Sequence, residues 1–142
     1  MTTRALVVDS SVVLRWVLPE PGRHASLALL GSFEAGAVDL IAPGLLMEQV
    51  AATLSDRCRE GILSRESAQR ALFFARERQP MLPPPDEDYL SPAFSLSLQH
   101  HLSLSDAIYL AVAIAADCGF VTANRQLHGA VSRHYPFIRL LV

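Results

Sequence analysis

Two short apolar runs, Ala5-Leu6-Val7-Val8 and Gly119-Phe120-Val121-Thr122, end near a small acid or amide, Asp9 and Asn124. Helical spacing follows each of them at once. Buried strands read as brief β-branched apolar runs, and helices as apolar positions three and four apart. On that basis the chain opens with a strand at about Ala5–Val8 and a helix near Ser11–Leu18, stopped by Pro19-Glu20-Pro21-Gly22. A second helix is expected over His24–Ala35, with Leu27, Ala28 and Leu30 on one side, ended by Gly36. Asp39-Leu40-Ile41-Ala42 reads as a second strand. Pro43-Gly44 opens a long helix to Arg59, with Met47, Val50, Ala51, Leu54 and Cys58 on one stripe. Ser64 caps a helix through Glu66–Glu77. Met81-Leu82 reads as a short edge strand before Pro83-Pro84-Pro85. A helix over Asp86–His101 is expected to turn Tyr89, Phe94 and Leu98 inward. Ser103 or Ser105 then caps a nearly all-apolar helix, Asp106–Asp117, which should be buried. A strand at Phe120–Thr122, a short helix from Arg125 and a strand near Ile138–Leu141 close the chain.

Strands alternating with helices imply an α/β fold with a mostly parallel central sheet covered by helices on both faces. The 142 residues suit a single domain, 1–142. Half of them are hydrophobic and few are charged, which excludes a disordered chain. The net charge of −2 excludes a global basic field, so any nucleic-acid contact must rest on local arginines. All twelve basic residues are in fact Arg, which suits phosphate contact and equally suits a GC-rich coding sequence. Cys58 and Cys118 lack metal spacing and fit a reduced, cytoplasmic protein. Met1–Arg4 are expected to lead straight into the first strand, with no signal peptide. The longest apolar run, Ala107–Ala116, is too short to span a bilayer, so no membrane contact is expected.

In open α/β sheets ligands bind outside the carboxyl ends of the strands. Asp9 falls there, and Asp106 lies in the first turn of the apolar helix. Each has a plain alternative. Asp106 is at home as a capping acid, because free N–H groups carry partial positive charge. Asp9 is at home in a turn. A parallel sheet would nevertheless bring the two segments together, and a hard cation such as Mg²⁺ takes a few carboxylate oxygens.

Four stretches carry a resemblance. They are Val7-Val8-Asp9-Ser10-Ser11-Val12-Val13-Leu14-Arg15-Trp16, Ala42-Pro43-Gly44-Leu45-Leu46-Met47-Glu48-Gln49-Val50-Ala51-Ala52, Leu104-Ser105-Asp106-Ala107-Ile108-Tyr109-Leu110-Ala111, and Val121-Thr122-Ala123-Asn124-Arg125-Gln126-Leu127. In their order and spacing the sequence resembles the PIN-domain ribonucleases, in particular VapC toxins of toxin–antitoxin pairs. The resemblance implies a three-layer PIN-like fold, a metal-dependent endoribonuclease, Mg²⁺ or Mn²⁺ as cofactor, RNA as substrate, a small antitoxin partner and a homodimer.

The family's site uses about four acids. Asp9 and Asp106 match two of them and are the expected metal ligands. Gln49 and Asn124 stand where acids are usual, and Ala52 replaces a frequent Asn. The two amides still offer carbonyl oxygens, so they are expected to complete or hydrogen-bond the metal shell, but their charge is lost. Glu48, about 100° around the helix from Gln49, reaches the site only if that helix shifts. Otherwise it is a solvated surface acid, as Asp117 is expected to be. Ser11 is a supporting residue or a helix cap. Arg15 and Arg125 reach a phosphate or are solvated. His100-His101 reads as a helix end. A rival reading is a catalytically degraded PIN-like domain that binds protein or RNA. A receiver- or phosphatase-type domain fits poorly, because the chain has no Lys and Ser11 stands where a phosphatase's second Asp would be.

Overall fold

The computed structural model describes residues 4–142, so the expected run-in at Met1–Thr3 lies outside the described residues. The elements are β1 Arg4–Val8, α1 Ser10–Val17, α2 Arg23–Glu34, β2 Val38–Ile41, α3 Leu45–Arg59, α4 Arg65–Glu77, α5 Leu90–His100, α6 Leu104–Ala116, β3 Gly119–Thr122, α7 Arg125–Val131 and β4 Ile138–Leu140. The strands form one sheet in the order β2-β1-β3-β4, parallel at every pairing. Val7 sits opposite Ile41 on one side and Phe120 on the other.

Leu6, Val7 and Val8 are all buried. Neighbouring strand residues point to opposite faces, so helices must cover both sides of the sheet. Helix α6 packs on β1 and β3, while α1 touches the same two strands. The chain leaves β1 toward β2 and leaves β3 toward β4, so the strand order reverses between β1 and β3. That reversal opens a crevice at the carboxyl ends of these two strands. Asp9 directly follows β1, and Asn124 is two residues beyond β3.

The stripe on α3 forms as its spacing predicts: Leu46, Val50 and Leu54 are buried, and Met47, Ala51 and Cys58 are half-buried. In α6 the run Tyr109–Ala113 and Ala107 are buried, but Ile114–Ala116 emerge into solvent. Helix α5 differs from expectation in start and in facing. It begins at Leu90, because the Asp88 carboxylate accepts from the amides of Leu90 (3.0 Å) and Ser91 (3.2 Å) and ends the preceding turn. Its inward residues are Ala93 and Leu96, whereas Phe94 and Leu98 are exposed and Tyr89 is half-buried. Helical spacing identifies a stripe but cannot say toward which neighbour it turns.

Helix α2 is likewise rotated, with Leu27 and Ala28 exposed and Ser26 and Leu30 buried. The Ser26 hydroxyl donates to the Val12 carbonyl at 2.7 Å, and the Trp16 indole donates to the Ser26 carbonyl at 3.1 Å. These bonds let a polar residue sit in the core. Met81 alone, not Met81-Leu82, extends the sheet through a parallel bridge to Ile41. Both cysteines are free. Among the described residues no helix is long and apolar enough to cross a membrane.

Candidate functional site

Asp9 caps α1. Its Oδ1 accepts from the Ser11 amide at 3.1 Å and from the Ser11 hydroxyl, and its Oδ2 accepts from the Thr122 hydroxyl at 2.5 Å. The two hydroxyls are themselves fixed from β3's exit. Ala123 N–H donates to Ser11 Oγ at 2.8 Å, and Asn124 N–H donates to Thr122 Oγ1 at 3.0 Å. One buried carboxylate thus knots the ends of β1 and β3. Burial raises its pKa above the ordinary Asp value of 3.8; the Ser11 and Thr122 bonds oppose the rise, and the charge on Asp106 adds to it.

Asp106 is oriented by Ser103. The Ser103 hydroxyl accepts from the Asp106 amide at 3.1 Å, capping α6, so Ser103 and not Ser105 is the cap. Burial raises the Asp106 pKa, and the Ser103 side chain lowers it in part. Asp106 and Asn124 line a common cleft of about 430 Å³ with His100, His101, Ser103 and Gln126.

Gln49 is joined to α6 through Tyr109. The Tyr109 phenol donates to Gln49 Oε1 at 2.7 Å, while the Ser10 amide bonds to the phenol oxygen. Burial drives the Tyr109 pKa far up, with Asp9 and Asp106 adding to it, so the phenol keeps its proton. Asn124 Oδ1 caps α7, accepting from the amides of Gln126 (3.0 Å) and Leu127 (3.1 Å). The amide oxygens expected to serve a metal are therefore engaged by protein donors. Asn124 Oδ1 takes two bonds and is filled, so its NH₂ group is left as a donor, whereas Gln49 Oε1 takes one and keeps a free lone pair beside its NH₂ group.

The other candidates sort plainly. Ser11 belongs to the Asp9 network. Arg15 is held in its own turn rather than free for a phosphate: Nε donates to the Pro21 carbonyl (2.7 Å), a terminal nitrogen donates to the Ser11 carbonyl (2.8 Å), and Glu20 lies 3.6 Å away. Arg125 is exposed at the start of α7. Glu48 is exposed and lines, with Gln49, Ala52, Leu104, Ser105 and Ile108, a separate hollow of about 400 Å³. Asp117 is an exposed C-cap, and His100-His101 ends α5. Thr122 and Tyr109 escaped the sequence reading. Their signals were local: Thr122 ends the second apolar run, and Tyr109 lies three residues past Asp106 on the same helical face.

A hard dication is held by anionic oxygens. Among the described residues no group of three or more Asp, Glu, His or Cys side chains is placed to hold a metal. Both Asp9 oxygens and both amide oxygens already accept hydrogen bonds. With two carboxylates, Asp9 and Asp106, and neutral amide oxygens at Gln49 and Asn124, the chain offers Mg²⁺ or Mn²⁺ a weaker donor set than an all-acid site would.

The PIN domain model matches residues 6–131, nearly the whole chain. The chain belongs to the PIN domain family. Among curated proteins none matches the sequence. Among solved structures, the Pyrobaculum aerophilum protein PAE2754 superposes with a TM-score of 0.68 at 20% identity, covering 91% of this chain and 87% of the other. A toxin–antitoxin complex from Klebsiella pneumoniae gives a TM-score of 0.63 at 17% identity, over 96% of this chain and 98% of the other. Mycobacterium tuberculosis VapC20, described as a sarcin–ricin loop cleaving toxin, gives 0.61 at 16% identity, over 89% and 95%. These likenesses establish that the PIN fold is shared.

Proposed function

We propose that this PIN domain is the toxin-type member of a toxin–antitoxin pair in which RNA hydrolysis is weakened and binding is kept. The observation that carries this reading is the engagement of both amide oxygens, Gln49 by Tyr109 and Asn124 by the α7 amides. The folds of the Klebsiella and Mycobacterium toxins support the partner class: a small antitoxin protein and an RNA. The setting is cytoplasmic. A homodimer is supported by α5, which has no Asp, Glu, Lys or Arg and exposes Leu90, Phe94 and Leu98 at a spacing of four. Two copies meet there without like-charge repulsion.

A second reading, an active metal-dependent ribonuclease, is favoured by Asp9 and Asp106, which lie close enough for one charge to act on the other. Cleavage of a single-stranded RNA panel in Mg²⁺ or Mn²⁺ decides between them. The expected result is little or no cleavage by the natural chain, and gain of cleavage in the Gln49→Glu, Asn124→Asp double variant. Strong cleavage by the natural chain, abolished by a chelator and by Asp9→Asn, would establish the active enzyme instead.

A further inference from the structure

The cleft beside Asp106 is suited to something other than a cation. At about 430 Å³ it is large enough to seat one nucleobase. Two of its wall residues have a fixed hydrogen-bonding sense. Asn124 Oδ1 is spent on the Gln126 and Leu127 amides, so Nδ2 is the atom left to donate. Asp106, in the first turn of α6, supplies a carboxylate that accepts. The wall also carries two imidazoles. His100 is fixed by a 3.0 Å bond to the Tyr135 hydroxyl and by the His134 ring 5.1 Å away, and His101 follows it at the exposed helix end. Aromatic rings beside polar groups of fixed sense are how single-stranded bases are read, by stacking and edge hydrogen bonds.

We infer that this cleft is a guanine subsite for single-stranded RNA. A carboxylate accepts two parallel N–H bonds, and guanine alone offers two adjacent donors, N1–H and the 2-amino group, beside an acceptor, O6. Asp106 takes the two donors and Asn124 Nδ2 donates to O6. Adenine and cytosine each offer a single amino group beside a ring acceptor, and uracil one N–H between two carbonyls. A phosphate is excluded by the negative charge of Asp106, whereas a neutral base is not. An acid at 124 would turn a second carboxylate toward O6 and repel it, so the amide that weakens the site for a metal fits it for this base.

This subsite rests on the RNA reading above, and the test separates the two. The labelled chain is titrated by NMR with 5′-GMP, AMP, CMP and UMP in a chelator. GMP is expected to shift the Asn124 side-chain NH₂ and the His101 amide, and to bind about tenfold tighter than the other three. Asn124→Asp keeps the α7 cap, because a carboxylate oxygen accepts the same amides, and is expected to lower GMP affinity about tenfold. His101→Gly suits that residue's left-handed backbone (φ 56°) and removes one ring, so it is expected to weaken GMP severalfold in a folded chain. GMP binding no tighter than AMP, shifts confined to another surface, or an unchanged affinity in Asn124→Asp overturns the subsite. Fluorescence anisotropy with a single-stranded oligoribonucleotide supplies the second arm. RNA bound without any GMP effect in the cleft overturns the subsite alone. Failure of both removes the RNA reading with it.

Discussion

Asp9 is a buried acid whose two oxygens are both committed inside the protein, and that sets its behaviour with pH. Its pKa is raised, chiefly by burial, so the folded chain binds this proton more readily than the unfolded chain does. The cost of its charge is absent below the unfolded value near 3.8 and complete above the folded value, so this residue's contribution makes stability fall as pH rises between the two. Asp106 acts in the same direction. Asp9→Asn is therefore expected to melt higher than the natural chain at neutral pH. The difference should close as pH falls toward 4, and thermal unfolding across that range checks it. Tyr109 tests the neighbouring bond. Tyr109→Phe strands Gln49 Oε1 without its donor and is expected to cost about 1 kcal/mol in urea unfolding.

At the scale of elements, α6 carries two duties that its sequence keeps separate. Its buried middle, Tyr109–Ala113, anchors it to the sheet, and its capped first turn aims Asp106 into the cleft. Ser103→Ala removes that cap. The expected loss is about 1 kcal/mol of stability, together with weaker GMP binding if Asp106 is aimed as described. Leu110, fully buried on the same helix, sets the upper scale: Leu110→Ala should cost about 2–5 kcal/mol in denaturant unfolding. Helix α5 is the opposite case, because its large apolar residues point away from the fold. Phe94→Glu with Leu98→Glu is expected to leave the folded monomer intact and to abolish the homodimer, read by sedimentation velocity. A monomeric natural chain would remove that assignment.

Across the whole molecule, parallel pairing in the order β2-β1-β3-β4 gathers residues far apart in sequence into one crevice. Asp9, Asp106, Thr122 and Asn124 meet because β1 and β3 are neighbours there, and Gln49 joins through a side chain of α6. If hydrolysis has been lost by the two amide substitutions alone, the Gln49→Glu, Asn124→Asp variant should arrest cell growth on expression while the natural chain does not. Growth curves with matched protein levels check this. A silent variant that is folded and binds Mn²⁺ would place the defect elsewhere in the crevice.

The local pattern determined a good deal by itself. Among the described residues, apolar runs and helical stripes marked the four strands and seven helices, and one strand too many at Met81-Leu82, because a buried segment must repeat its apolar residues at the period of its own backbone. The acids at the strand end and the helix start were legible for the same reason, since they break those runs. Which way a stripe faces was not legible. Phe94 and Leu98 have the right spacing for a core and lie outside it, because α5 turns Ala93 and Leu96 to the core instead. Nor could the sequence say which atom of the Asn124 amide meets the cleft. Asn124 carries an oxygen and an NH₂ group, and only the α7 amides, placed by the tertiary fold, decide that the oxygen is filled, while Gln49 is turned to the Tyr109 phenol and lines a separate hollow. A hydrogen bond is settled by the partner's position, and that position belongs to the folded molecule.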